Sequence, residues 1–272
     1  MEHSKIFRAL LNEAQFTKEI LGIGVTQIRK ANYAQKGIYY QSFTCLATGL
    51  ERLGKICLLL NYYIDNSGTF PNDSYFKKHL GHNVLKIFDE CTHIIHNKDM
   101  SNKFLIIYDD DIHNNILSIL SDFGKGARYS NINILVGIEQ REDSIKRWYE
   151  EVDLLLFEKH LTSKRKNDIH QRAYLIDNLL NPLSITRHVA EDGHSIDNIY
   201  TGSFRTGVWE AVSPYRQLYL LQIIRSTTIL LSKLGHIASS LNNEDIPYFS
   251  EIFGLFYNGD SYFKSRKTWD RI

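Results

Sequence analysis

Proline is scarce in this chain, four in 272 residues, and methionine (two) and cysteine (three) are scarcer still. So few prolines leave long stretches free to be helical, because a proline inside a helix removes a hydrogen bond and clashes with the preceding turn. Three cysteines cannot all pair, and Cys45 and Cys57 lie too far apart on one expected helix to bond each other. Reduced thiols buried in a cytoplasmic protein are the expectation. No apolar run approaches the roughly 20 residues that a bilayer span needs. The opening Met1-Glu2-His3-Ser4-Lys5 lacks the apolar block of a signal peptide, so no membrane is expected as a partner. A net charge of +1 gives no global attraction to nucleic acid and leaves only local basic patches to supply one. There is no Gly-x-Ser-x-Gly elbow for a nucleophile, and Asp109-Asp110-Asp111 lacks the alternation and central glycine of a calcium loop. His79 with His82, and His93 with His96, have the spacing of paired ligands. Neither pair has the further ligands that a zinc site needs, so no metal and no cofactor are expected.

What the chain does have is helical periodicity. Tyr39, Phe43, Leu46, Leu50, Leu53, Cys57, Leu60 and Ile64 follow one another at alternating steps of four and three, which predicts one long helix. At 1.5 Å per residue it spans about 39 Å, enough to cross a domain. Ile56, Leu58, Leu59, Tyr62 and Tyr63 widen the stripe, so other helices must cover it from more than one side.

Around that rod the same reasoning places the other elements. Ser4 caps a first helix with Ile6, Phe7, Leu10, Leu11, Ala14, Thr17 and Leu21 on its apolar side, loosened at Gly22 and Gly24. Turn formers from Asp65 to Asp73 end the long helix. Val84, Ile87, Phe88, Cys91, Ile94 and Ile95 mark a third helix, and Phe104 to Tyr108 is an apolar run of either type. Ile112 to Phe123 forms a fourth, with Asp109–Asp111 at its favourable end. Gly124 to Asn131 reads as a loop with a basic core. Ile145, Trp148, Val152, Leu155 and Leu156 mark one further helix. Ile169, Ala173, Ile176 and Leu180 mark another, stopped at Asn181-Pro182. Residues 183–213 carry no sustained period. Ser213-Pro214 is expected to start a last long helix, and the aromatic tail from Ile246 to pack back on the body.

Three segments in order carry a resemblance. Ala47-Thr48-Gly49-Leu50-Glu51-Arg52-Leu53-Gly54-Lys55 resembles the second helix of HEPN domains, with a Glu and a Lys four positions on. Leu80-Gly81-His82-Asn83-Val84-Leu85 resembles the His-led helix start that follows. Gly126-Ala127-Arg128-Tyr129-Ser130 resembles the Ala-Arg-Tyr segment of many members. The similarity covers residues 37–137. It implies an all-α, HEPN-like bundle over 1–140 and a homodimer, and the helical periods past it add a C-terminal helical layer over 141–272. It also implies metal-independent ribonuclease or RNA-binding activity of the kind found in bacterial defence and toxin systems, with RNA and a protein partner or antitoxin as partners.

Active members of that superfamily carry an Arg, four to six intervening residues, and a His. An Arg fork holds the scissile phosphate and neutralises its growing charge. A His moves the proton of the ribose hydroxyl or of the leaving oxygen. Arg165 with His170 fits this pattern at the start of an expected helix, as does Arg187 with His194, where Asp192-Gly193 interrupts the helix. About 1.7 such pairs arise by chance at this content of Arg and His, so context decides. Lys164 and Lys166, with Lys159 and His160 upstream, make the first pair a basic patch suited to RNA phosphates, or else a solvated basic helix end. Arg165 and His170 are therefore the candidate catalytic pair, with Arg128, Lys164 and Lys166 as phosphate contacts. Glu51 and Lys55 serve as supports, or as an ordinary i,i+4 surface pair. One departure stands out: Arg128 holds the place of the family's motif Arg, and no His follows it within reach. A non-catalytic module that binds a nucleotide or a protein is the alternative function.

Overall fold

Ser4 starts the first helix as its position predicts, its hydroxyl accepting the amide of Phe7 at 3.0 Å. In the computed structural model, which describes residues 4–75, 81–100, 105, 110–138, 142–180, 187–241 and 245–270, helix α1 runs Lys5–Ile28. Gly22 and Gly24 lie inside it and are buried, so they do not loosen the helix. The predicted rod is α2, Gly37–Asp65, and seven of its eight stripe residues are buried, Ile64 being half-buried. The helices that cover it come from several sides: α1, then α3 (Val84–Asn97), α4 (Asp111–Gly124) and the long α9 (Ile199–Leu241). The chain is all-α. A single set of packed apolar side chains runs from Leu10 to Trp269, drawing on both halves of the sequence.

Between α4 and α9 the chain folds in short pieces. A 3₁₀ turn at Ala127–Tyr129 and helix α5, Ser130–Leu135, occupy part of the stretch expected to be loop. Helix α6 (Ser144–Trp148) passes through a π-helical turn, Tyr149–Asp153, into α7 (Leu154–His160). The wider turn shifts the helical phase. Ile145, Trp148, Val152 and Leu156 are buried, whereas Leu155 is turned outward. Thr162 then caps α8, Ser163–Leu180, its hydroxyl accepting the amide of Arg165 at 3.3 Å.

Helix α8 touches the body along one narrow line. Ile169 and Ala173 are its only buried residues, and Ile169 lies where Gly207 of α9 leaves room, since a Cβ on that glycine would sit 2.6 Å from the Ile169 side chain. Ile176 and Leu180, expected on the buried side, are exposed. Asp177 accepts the amide of Tyr200 at the start of α9, so the last turn of α8 extends past the helix it lies against.

The region without a period, 183–213, holds a β-hairpin: β1 (His188–Val189) and β2 (Ser195–Ile196) pair antiparallel with His188 opposite Ile196. Gly193 takes φ +87° at its turn. The Arg187-to-His194 stretch therefore forms this hairpin and offers no helix to align the two side chains.

The last long helix does not begin at Ser213-Pro214. It starts at Ile199 and runs through Pro214, a proline in the interior of a 43-residue helix. Pro214 has no N–H for the carbonyl four residues earlier, and the Ser213 hydroxyl donates to that Glu210 carbonyl instead, at 3.3 Å. The aromatic tail packs back as expected, through α10 (Phe249–Ile252) and α11 (Asp260–Ser265), with Phe249, Phe253, Phe256, Phe263 and Trp269 buried. His79, Leu80, Phe104, Ile106–Tyr108, Asp109 and Asn181-Pro182 lie outside the described residues. No helix among those described is long and apolar enough to cross a membrane.

Candidate functional site

The amino end of α8 faces a groove of about 630 Å³ built from three distant stretches of sequence. His160, Thr162 and Arg165 line it from the α7–α8 junction, Glu210, Pro214 and Tyr215 from α9, and Ser261, Lys264 and Ser265 from α11. Two of these positions follow from local chemistry. The Thr162 cap fixes the turn that carries Arg165, and the carbonyl of Lys264 accepts the Arg29 guanidinium at 2.8 Å, tying α11 to the end of α1.

His160 is held on two sides. Its ring stacks on Tyr215 with centroids 4.3 Å apart and planes 9° from parallel, and its Nε2 lies 3.0 Å from the Tyr219 hydroxyl. Burial, then the neighbouring Lys159 and Lys264 ammoniums, push its pKa below the ordinary imidazole value. Lys159 is paired with Asp110 and lies 5.6 Å over the Tyr219 ring. Asp110 also caps α4, accepting the Ile112 amide at 3.0 Å. Lys264 lies 5.8 Å over the Tyr215 ring. The aromatic pair Tyr215 and Tyr219 thus carries one imidazole and two ammonium groups.

Arg165 and His170 lie on one helix but do not share a cavity. Five residues turn an α-helix by about 140° beyond a full revolution, which sends the two side chains to different faces. Arg165 is exposed and lines the groove just described. His170, also exposed, lines a second, shallower groove of about 390 Å³ with Gln171, Tyr174, Leu175 and Tyr200. There the His170 ring stacks on Phe204 at 4.5 Å and its Nδ1 lies 2.7 Å from the Tyr200 hydroxyl. The Tyr200 and Phe204 rings are parallel to within 6°. Of the flanking lysines, Lys164 is exposed, whereas Lys166 is committed to an ion pair with Glu158 and to the face of Phe157.

The remaining candidates line neither groove. Glu51 and Lys55 are paired at 2.6 Å, and Glu51 also meets the His82 Nδ1 at 3.0 Å, so two of the segments that carried the resemblance converge on one carboxylate. Arg128 is exposed on its 3₁₀ turn, the guanidinium 5.0 Å over the ring of Tyr129. Just beyond it, Ile132, Ile134, Leu135, Val136 and Ile138 are all more than half exposed. Among the described residues, no three His, Cys, Asp or Glu side chains come together as metal ligands would.

One polar centre had no place in the sequence-based expectations. Arg216 is buried in the core and bonds Asp153 through two nitrogens, the Ala31 carbonyl at 2.7 Å and the Tyr39 hydroxyl at 2.9 Å. Burial pushes the Asp153 carboxyl up to about 6 against the pull of Arg216. Burial also opposes the charge on Arg216, and Asp153 outweighs it. Nearby, Arg205 pairs with Asp192 at 2.6 Å and Glu191 at 3.3 Å, and lies 4.6 Å over the Tyr149 ring. These bonds pin the π turn, the hairpin and α9 to the ends of α1 and α2. A charged residue two positions after Pro214, where an apolar helical stretch begins, is the sequence signal that marks it. Comparison with protein-family models, with curated proteins and with solved structures returns no match.

Proposed function

We propose that this protein binds RNA along the amino-terminal half of α8 and cleaves it without a metal, as a HEPN-like ribonuclease of the kind found in bacterial defence and toxin systems. The observation that carries the reading is the pairing of a basic groove at Arg165 with an aromatic stack at His170 on the same helix. A strand crossing α8 meets Arg165 at a phosphate, and the His170–Phe204–Tyr200 stack at a base or ribose. Five residues of helix separate the two by about 7.5 Å along the axis, the scale of one nucleotide step. In this reading Arg165 clamps the scissile phosphate, His170 moves the proton, and Lys164 and Arg128 hold flanking phosphates, with Lys166 joining them by exchanging its Glu158 partner for a phosphate. Glu51 and Lys55 keep the supporting role that the resemblance gives them. A cytoplasmic homodimer goes with the reading, and the exposed apolar run 132–138 supports self-association or a protein partner such as an antitoxin.

Incubation of the purified chain with single-stranded RNA in EDTA tests it. Cleavage that is lost in both Arg165→Ala and His170→Ala is the expected result. Cleavage that persists in both variants, or that needs a divalent cation, removes these residues from the chemistry.

The separate grooves of Arg165 and His170 favour a second reading: a non-catalytic module that binds a nucleotide or a protein partner. Tight RNA or nucleotide binding with intact RNA after long incubation is the outcome that selects it.

A further inference from the structure

Several cations in the described fold are matched to a carboxylate: Arg52 to Glu13, Arg147 to Asp122 and Glu151, Lys159 to Asp110, Lys166 to Glu158, Arg205 to Asp192, Arg225 to Asp260. Arg165 and Lys264 both line the larger groove, one from α8 and one from α11, and neither has a carboxylate within ion-pair distance among the described residues. Two cations that line one cavity without a carboxylate partner leave a place there for an anion that the protein does not itself supply.

The rest of the groove fits a phosphate better than a carboxylate. Thr162, Ser261 and Ser265, all with hydroxyls, line its wall, and the 18-residue helix α8 begins beside them. His160, fixed by Tyr215 and Tyr219, stands between the Lys159 and Lys264 ammoniums, which disfavour a positive charge on its ring. An anion seated against Arg165 and Lys264 reverses that balance, because it favours the imidazolium. Glu210 is the groove's one carboxylate and sits on the α9 wall. It repels a second negative group and suits the hydroxyls of a sugar.

We infer that this groove is a phosphate-binding site, in which Arg165 and Lys264 hold the anion and His160 takes up a proton as it binds. The phosphate is carried either by a free mononucleotide or by an RNA strand. The inference rests on the RNA reading for the strand as carrier and on the groove alone for the phosphate.

The test follows the His160 ring by NMR in the full chain, its signal identified by its loss in His160→Gln. The groups that face it are Lys159, Asp110, Arg165, Glu210, Lys264, Tyr215 and Tyr219, so each titration is run at fixed ionic strength in chloride. Three probes are added in turn: inorganic phosphate, uridine monophosphate, and a 2′-O-methyl oligouridine that resists cleavage. Saturable binding with a roughly tenfold gain in His160 proton affinity is expected, an anion in contact raising an imidazole pKa by about one unit. Arg165→Gln or Lys264→Gln weakens it by about tenfold, one charge-assisted contact each. Saturation by the monophosphate identifies a free nucleotide as the carrier, and saturation by the oligomer alone identifies a strand. His160 signals that stay unmoved by all three probes, or that move equally in the Arg165→Gln/Lys264→Gln double variant, overturn the site. Phosphate binding without any RNA binding or cleavage keeps the site and removes the RNA reading. RNA cleavage with a silent His160 does the reverse.

Discussion

Replacing Arg216 with methionine tests the reasoning about the core most severely. Methionine keeps much of the aliphatic volume and removes the guanidinium. What remains is the Asp153 carboxylate, fully buried at the π turn, with its two bonds from Arg216 gone. The Ala31 carbonyl and the Tyr39 hydroxyl lose partners as well. Removing one member of a buried ion pair costs about 3–5 kcal/mol, because the partner is left charged and unsolvated. A domain is stable by only about 5–15 kcal/mol, so the variant loses a large share of the total. The double variant Arg216→Met/Asp153→Leu removes the stranded charge and should be more stable than the single one. It keeps the cost of the orphaned Ala31 carbonyl and Tyr39 hydroxyl, about 1–3 kcal/mol each. Urea unfolding followed by circular dichroism measures all three proteins. A single variant that loses less than about 1 kcal/mol, or a double variant less stable than the single, refutes the assignment of Arg216 and Asp153 as mutually dependent.

Other outcomes follow from equally specific contacts. Gly22→Ala places a Cβ 2.3 Å from the Trp269 carbonyl oxygen, a backbone atom that cannot turn aside. It should cost about 1–3 kcal/mol and change Trp269 fluorescence as the tail shifts. His113 is buried, bonded to Gln222 at 3.0 Å, and burial lowers its pKa below the ordinary value. The folded state therefore binds that proton less readily than the unfolded chain. Its stabilising effect is complete above about pH 6.5 and is lost as pH falls through the depressed folded value, so His113→Gln should flatten thermal stability against pH below about 6.5. Asp110→Asn keeps the α4 cap through its amide oxygen and removes the charge opposite Lys159. The His160 ring should respond with a lower pKa by NMR and little change in melting temperature.

The architecture was readable wherever burial repeats along a helix. The α2 stripe predicted its element to within a few residues at each end because every side chain in it meets the same environment, a neighbouring helix. The reading failed where one residue carries a message that depends on its surroundings. Pro214 marks a helix start on local grounds. Here it sits within α9, because Ser213 supplies the hydrogen bond that the proline cannot, and because the residues on both sides are packed into the core. The π turn between α6 and α7 has no composition of its own. It showed only as a change of phase that left Leu155 outside.

The candidate site divides along the same line. Arg165 and its basic neighbours were visible because they are adjacent in the chain. Lys264 and Tyr215 were not, since nothing near them in sequence points to α8; Tyr215 lines the groove from α9, and Lys264 reaches it only because the aromatic tail folds back over that helix. The proline that misled the reading also lines the groove it helps to open: at Pro214 the helix lacks one rung of its ladder, and the α8 amino end and α11 meet beside it. The Arg-to-His spacing of 165 and 170 is a property of the chain, whereas a shared cavity is a property of helical phase. Five residues put the two side chains on different faces of one helix. His160, also exposed to the groove and fixed by two tyrosines, stands on the same side as Arg165. A phosphate held by Arg165 therefore shares its groove with an imidazole other than the one the motif names, and comparing His160→Gln with His170→Ala on one RNA substrate decides between them. Loss of cleavage in His170→Ala alone would restore the motif's pairing and require the strand to cross α8.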